Sequence, residues 1–157
     1  MLNLKVVADL LGLPGNASWT GVQVNKVEFD SRQVEPGDLF VCIPGFKVDG
    51  HDFASQVVTR GARALVVERF LEGLEQVPQL VVPQARRALA QIANLAHGHP
   101  SQGLRMVGIT GTNGKTSTAH FCEAVLASSG AVPGVLGTIH TKIAGKPLPT
   151  THTLSLI

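Results

Sequence analysis

The chain has 157 residues, of which 44% are hydrophobic and 15% are charged, so it can form a packed core and is not disordered by composition. Its formal net charge of +2 is too small to indicate a nucleic-acid-binding protein. The sequence has neither a stretch apolar enough to cross a membrane nor the features of a signal peptide. Cys42 and Cys122 lie far apart without metal-ligand spacing, which favours buried thiols in a reducing compartment and hence a cytoplasmic location.

Strand and helix patterns alternate along the N-terminal part of the chain. Residues 4–11 have helical spacing, and residues 22–29 alternate between apolar and polar, as a half-buried strand does. Short apolar runs predict buried strands at residues 39–43, 64–67 and 80–82. Helices are predicted at residues 51–60, 70–74 and 84–97. This order predicts an α/β fold built on a sheet.

A break follows the helix predicted at 84–97. Gly98, Pro100 and Gly103 interrupt the pattern, and we therefore place a domain boundary between domains 1–101 and 102–157. In the second domain, residues 106–110 are typical of a buried strand, which a glycine-rich turn and a helix follow. Residues 132–139 are typical of another strand, and residues 145–151 of a loop.

The glycine-rich turn has the composition of a phosphate-binding loop. Glycines allow several backbone N–H groups to point into one concavity, and the following helix adds its unpaired N–H groups and its positive dipole end. Lys115 supplies a charge for the outer phosphates, and the Thr116 hydroxyl can bind Mg²⁺. The residues expected to hold the nucleotide are Gly111, Thr112, Asn113, Gly114, Lys115, Thr116 and Ser117.

This loop is a variant of the generic pattern. The strict pattern places its first glycine where Ile109 stands. The alternative is an ordinary strand-to-helix turn that carries a surface lysine. The strand predicted before the turn and the helix predicted after it favour phosphate binding.

Four blocks of sequence, in this order, resemble the Mur ligase family. They read F-D-S-R at 29–32, P-G-D-L-F-V at 36–41, P-G-F-K-V-D-G-H-D-F at 44–53 and G-I-T-G-T-N-G-K-T-S-T at 108–118. The similarity is to the members of the family that add the third peptide residue of peptidoglycan. It also accounts for the variant loop, because the phosphate loop of this family reads G-T-N-G-K-T/S.

The resemblance implies three domains: one that binds the UDP part of the substrate, an ATPase-like domain, and one that selects the amino acid. This chain would hold the first domain and the opening of the second, and would be an incomplete and inactive part. The implied reaction is ATP- and Mg²⁺-dependent amide formation between UDP-MurNAc-L-Ala-D-Glu and a diamino acid, through an acyl phosphate. Whether the diamino acid is meso-diaminopimelate or L-lysine stays open. A monomer that binds neither nucleic acid nor membrane is expected.

The resemblance also assigns residues. Lys115 would be catalytic, and Thr116 would bind the metal. The uridine nucleotide would contact residues on two loops, and a threonine near residue 153 would bind the substrate. These substrate residues are Phe29, Ser31, Phe46, Lys47, Val48 and Thr153.

Several alternatives remain open at this stage. Asp30, Ser31 and Arg32 could form a simple turn, and Asp52 is expected to cap a helix. The enzyme could instead be the ligase that adds D-Ala-D-Ala, or a folylpolyglutamate synthetase. A non-catalytic nucleotide-binding module would use the same loop.

Overall fold

The computed structural model describes residues 1–15, 19–46, 48–137 and 141–148. The chain divides into two compact units, Met1–Arg105 and Met106–Ile157. The boundary that the sequence predicts, after residue 101, lies just before this division. In the described residues, no helix is both long enough and apolar enough to cross a membrane.

The first unit is built on a parallel sheet. The strands are β1 (Leu2–Asn3), β2 (Gln23–Val24), β3 (Val27–Glu28), β4 (Leu39–Val41), β5 (Ala64–Val67) and β6 (Gln79–Val81), and the helices are α1 (Leu4–Leu10), α2 (Ala54–Thr59) and α3 (Ala85–Ala96). Strands β3, β4, β5 and β6 pair in that order, all parallel, whereas β1 and β2 form a separate antiparallel pair. The described part of the unit also contains the 3₁₀ turns Gly50–Phe53 and Pro100–Gly103.

The sheet is covered on both faces, so successive strand residues enter different cores. Leu39 and Val41 pack with α1 and α3 on one face, in a cluster that includes Leu4, Val7, Leu80 and Ile92. Phe40 and Cys42 pack on the other face, in a cluster that includes Ala54, Val57, Leu65 and Val67. The continuous apolar runs of the sequence are explained by this burial on both sides, and the predicted α/β class is confirmed.

The helix predicted at residues 70–74 is wrong, because this segment forms turns. Gly73 has a φ of 82°, which a helix does not accommodate. The buried amide of Gln79 satisfies the backbone instead: it accepts from the Leu71 N–H at 2.9 Å and donates to the carbonyls of Leu71 and Leu74. A side chain from the next strand therefore replaces the helical hydrogen bonds.

The second unit contains helix α4 (Lys115–Ser128) and strands β7 (Gly134–Leu136), β8 (Thr141–Ile143) and β9 (Lys146–Leu148), which form an antiparallel sheet. The loop predicted from residue 145 is wrong for residues 146–148, because Ala144 and Gly145, both with positive φ, form a two-residue hairpin turn into β9. Pro147 is tolerated because β9 is an edge strand.

The buried strand predicted at residues 106–110 is also wrong in the described structure. Met106 and Val107 are 73% and 67% exposed, and the segment is assigned to no ladder with the described strands. An apolar run becomes a strand only where a neighbour pairs with its backbone.

The two cysteines should differ in reactivity. Cys42 is buried in the second core cluster, and this burial raises the pKa of its thiol to about 12, so at pH 8 the thiolate that attacks a reagent is nearly absent. Cys122 lies half-buried on α4. Ellman's reagent at pH 8 should modify about one thiol in the native chain, none in Cys122→Ser, and both thiols in denaturant. Rapid modification of native Cys122→Ser would contradict the packing described here.

Candidate functional site

One edge of the parallel sheet gathers the candidate substrate residues of the first unit. Val27 pairs with Leu39, so β3 and β4 run side by side in the same direction. The segments that follow the two strands therefore leave the same edge, which is where ligands bind in open α/β sheets. Phe29 follows β3 and is 50% exposed, and Phe46 follows β4 and is 88% exposed.

The turn after β3 is held by charged side chains. Glu28 Oε1 accepts the next two backbone N–H groups, at 2.9 and 3.1 Å. Asp30 accepts the Arg32 backbone N–H at 3.0 Å and its guanidinium at 2.7 Å, and Arg60 donates to the Ser31 carbonyl at 2.9 Å. Asp30 and Arg32 thus form the turn that the sequence allowed as an alternative, and this turn presents the half-buried Ser31.

The segment after β4 is a tight hairpin, residues 43–50. The Gly50 N–H donates to the Ile43 carbonyl at 2.9 Å, and the Gly45 N–H donates to the Val48 carbonyl at 3.0 Å. A Cβ on Gly50 would lie 2.6 Å from the Ile43 nitrogen, so only glycine allows the two arms to approach this closely. The exposed side chains of Phe46 and Val48 are consequently presented at the tip.

Asp49 and His51 fix the end of this hairpin. Asp49 Oδ1 accepts from the His51 backbone N–H at 2.9 Å and lies 2.6 Å from His51 Nδ1, while Oδ2 accepts from Arg69 at 3.0 Å. Asp49 is thus the N-cap of the 3₁₀ turn, and the predicted capping role of Asp52 is wrong. Since Asp49 begins the 3₁₀ turn with an extended backbone, its oxygen, and not that of Asp52, reaches the first N–H groups.

The phosphate loop opens α4. Gly114, the N-cap residue, has a φ of 77°, and Gly111 has a φ of 148°, so both occupy backbone regions that favour glycine. Lys115 Nζ donates to the carbonyl oxygens of Gly111 and, at 3.3 Å, of Thr112. The lysine ammonium therefore lies over the loop and not out in solvent away from it.

The start of α4 suits an anion. It has no side-chain cap and no acidic residue in its first turn, so its N–H groups and its positive dipole end are left for a ligand. Residues 111–118 are all exposed. For a metal, Thr116 offers one hydroxyl, and no group of three or more His, Cys, Asp or Glu side chains with metal-binding geometry exists among the described residues. Mg²⁺ keeps several waters and needs few protein ligands, so a single hydroxyl such as that of Thr116 is compatible with it.

Two predicted substrate residues, Lys47 and Thr153, lie outside the described residues. The other predicted substrate residues, Phe29, Ser31, Phe46 and Val48, lie at the sheet edge of the first unit. The predicted ATP-binding residues 111–117 lie in the second unit. Glu28, Arg60 and Arg69, which hold these loops by hydrogen bonds, were not predicted from the sequence. Arg60 gives no sequence signal, since it lies far along the chain from the turn that it contacts.

The hydrogen bonds on Asp49 make stability depend on pH. The backbone N–H of His51, then the His51 ring and Arg69, lower the pKa of Asp49 from 3.8 to about 2. Because the folded pKa is depressed, the stabilisation is present above about pH 4 and is lost as the pH falls toward 2. Asp49→Asn should therefore unfold at lower urea concentration than wild type at pH 6, and the difference should narrow between pH 4 and pH 3. A constant difference from pH 6 to pH 3 would contradict the assigned contacts; Asp52→Asn is the matched control.

Each of the two units matches a model of a known protein family. The model for the Mur ligase family, catalytic domain, matches residues 23–97, and the model for the Mur ligase middle domain matches residues 109–156. A UDP-N-acetylmuramoyl-L-alanyl-D-glutamate--2,6-diaminopimelate ligase of Geobacillus thermodenitrificans is 50% identical over 96% of this chain and 31% of its own length. The enzyme of the same name from Listeria innocua is 44% identical over 97% of this chain and 30% of its own length. The chain thus spans about three tenths of the length of these relatives.

Solved structures agree at the level of the fold. MurF from Acinetobacter baumannii has a TM-score of 0.58 and 28% identity, over 87% of this chain and 29% of that chain. A UDP-N-acetylmuramoyl-L-alanyl-D-glutamate--2,6-diaminopimelate ligase has a TM-score of 0.68 and 24% identity, over 87% of this chain and 28% of that chain. With the two family models matching consecutive parts of the sequence and a parallel-sheet unit followed by a phosphate loop, the chain belongs to the Mur ligase family.

Proposed function

We propose that this chain carries the uridine-nucleotide site and the ATP phosphate loop of a ligase that joins a diamino acid to UDP-MurNAc-L-Ala-D-Glu. The observation that carries the proposal is that the Ser31 turn and the Phe46 hairpin follow neighbouring parallel strands and leave the same sheet edge, in a chain with a separate phosphate loop. Both features belong to one chain that is 50% identical to a 2,6-diaminopimelate ligase.

The sheet edge suits a uridine nucleotide. Phe46 is a highly exposed phenylalanine and Phe29 is partly exposed, and base stacking on an aromatic ring is favourable whatever the base. A nearby hydroxyl, such as that of Ser31, supplies the polar contact that fixes orientation. Lys47, whose role comes from the resemblance, would add a charge for the diphosphate. These contacts would hold the sugar nucleotide while its peptide end extends toward the reacting groups.

The second unit suits ATP. The N–H groups at the start of α4 would bind phosphate oxygens, and Lys115 would leave the Gly111 carbonyl to neutralise charge on the outer phosphates. Thr116 would provide a hydroxyl ligand to Mg²⁺. When bound, ATP would supply the phosphoryl group that activates the substrate carboxylate as an acyl phosphate, with release of ADP; attack by the amine of the amino acid would then form the amide and release phosphate. Lys115 contributes electrostatic stabilisation of the transferring charge.

The identity of the amino acid is supported by the names of the relatives. The relatives from Geobacillus thermodenitrificans and Listeria innocua are both named as 2,6-diaminopimelate ligases, which favours diaminopimelate over lysine. The two free cysteines fit a reducing compartment such as the cytoplasm. The monomeric state expected from the sequence stays a prediction.

The uridine site is tested by calorimetry with UDP-MurNAc-L-Ala-D-Glu. Phe46→Ala should weaken binding about tenfold, because it removes a stacking surface whose loss costs about 1–3 kcal/mol. Ser31→Ala should weaken it by a smaller factor, about threefold to tenfold, through one lost hydrogen bond. Phe121→Ala, at another exposed phenylalanine, on α4, is the control and should bind as wild type does. If wild-type affinity survives in both Phe46→Ala and Ser31→Ala, the site lies elsewhere.

The phosphate loop is tested with a fluorescent ATP analogue and Mg²⁺. Lys115→Ala should weaken binding at least about tenfold through loss of a charge-assisted contact, with an unchanged thermal melt because the side chain is exposed. Lys146→Ala, an exposed lysine on β9, is the control.

Turnover is measured in a ligase made by joining this chain to the remaining part of the Geobacillus relative. There Lys115→Ala should lower tripeptide formation from diaminopimelate by about 10²-fold or more. Normal turnover with this variant would leave an ordinary strand-to-helix turn as the explanation of the loop.

A further inference from the structure

We propose that His51 is a positioning residue for the uridine-binding hairpin, acting through a hydrogen bond from its Nδ1–H to Asp49. The inference rests on the proposed function, because it assumes that the hairpin at residues 43–50 receives the nucleotide. His51 itself does not face the ligand edge: its side chain is 1% exposed. Its effect on binding must therefore pass through Asp49, which follows Val48 in the chain.

The hydrogen bonds of the ring define its proton. The Glu68 backbone N–H donates to His51 Nε2 at 2.9 Å, so Nε2 is an acceptor and carries no proton. The proton consequently lies on Nδ1, which donates to Asp49 Oδ1 at 2.6 Å. The bond from β5 thus sets the tautomer, and the tautomer makes Nδ1 a donor toward the hairpin.

The anchor for this ring is rigid. Glu68 directly follows the buried strand β5, and its side chain accepts the N–H of Ala85 at 2.7 Å. Ala85 is the first residue of α3, whose own N-cap residue, Gln84, makes no side-chain cap hydrogen bond. The ring therefore connects the hairpin to a point where a central strand and a long helix are already joined.

The hairpin tip needs such an anchor. Phe46 and Val48 are 88% and 53% exposed, so little packing restrains them. A ligand that binds a mobile tip must order it, which costs affinity, whereas a tip whose base is fixed is already in place. Asp49 is the last residue before the arms close at Gly50, so fixing its carboxylate fixes the exit of the tip.

Two substitutions separate positioning from general stability. His51→Asn keeps an N–H near the position of Nδ1 and so retains the bond to Asp49, but it leaves the Glu68 N–H without its acceptor. His51→Gln reaches the position of Nε2 and retains the Glu68 bond, but it loses the donor to Asp49. A purely structural role would affect both variants through the melt alone.

The experiment measures affinity for UDP-MurNAc-L-Ala-D-Glu by calorimetry, thermal melting, and hydrogen exchange of the Gly45 and Gly50 amides in the free chain. His51→Gln should bind about tenfold more weakly and exchange these amides faster, through loss of a hydrogen bond to a charged group. His51→Asn should melt at lower temperature yet bind within about twofold of wild type. Equal losses of affinity in both variants, or wild-type affinity and exchange in His51→Gln, would overturn the proposal.

Arg69→Gln provides a second test that does not require substitution of a buried residue. Arg69 has a 57% exposed side chain and holds the other oxygen of Asp49, so its loss should weaken substrate binding a few-fold with only a small change in the melt. Arg86→Gln, on the exposed face of α3, is the matched control. If His51→Gln fails to fold, wild-type affinity in Arg69→Gln overturns the role of the Asp49 anchor.

The two proposals fail differently. If wild type does not bind the substrate, the uridine site is wrong, but amide exchange in the free chain still decides whether His51 orders the hairpin. If Phe46→Ala loses binding and His51→Gln does not, the site is right and the positioning role is wrong.

Discussion

Strand β4 has paired neighbours on both sides, and every one of its residues is buried because helices cover both faces of the sheet. This parallel arrangement constrains the rest of the first unit. Parallel neighbours must be joined by crossovers, so the loops that follow consecutive strands all leave the same edge. The turn at Ser31 and the hairpin at Phe46 leave the same edge for this reason, although β4 and the loop before it separate them along the chain. The position of the candidate site thus follows from the strand pairing and does not depend on which side chains the loops carry.

What the pairing does not determine is the shape of each loop. The Ser31 turn depends on Arg60 at the end of α2, and the hairpin depends on His51 and on the Glu68 backbone after β5. Both supports come from elements that follow the loops in the chain and lie beside them in space. The conformation of each loop therefore depends on the packing of the neighbouring strand or helix, which couples the order of the candidate site to the integrity of the core.

The elements that could be predicted from the sequence are those whose pattern of apolar residues directly reflects which side chains are buried. The runs at β4 and β5 and the spacing of α3 have only one way to bury their apolar residues, and the structure confirms them. The helix at residues 70–74 was wrong because Gln79, a residue of the next strand, supplies the hydrogen bonds that propensity assigned to a helix. The strand β9 was missed because Ala144 takes a positive φ, which its identity does not favour. For the candidate site, the sequence blocks after β3 and β4 identified the two loops but not the residues that hold them. The ligand roles of Phe29, Ser31, Phe46 and residues 111–117 stay predictions.

The blocks that carry the family resemblance have different physical tasks. Asp38, in the P-G-D block, is 1% exposed; its carboxylate accepts the Glu35 N–H at 2.8 Å and its carbonyl accepts the Arg63 N–H at 2.7 Å. These contacts lie at the amino end of β4, which is the end opposite the candidate site, and they join the starts of β4 and β5. A substitution there would act first on the sheet, whereas a substitution at Phe46 would change the candidate site itself. Sequence similarity alone does not distinguish the two blocks. The direction of the parallel strands does, because residues at the amino ends build the sheet, whereas residues after the carboxyl ends lie where open α/β sheets bind ligands.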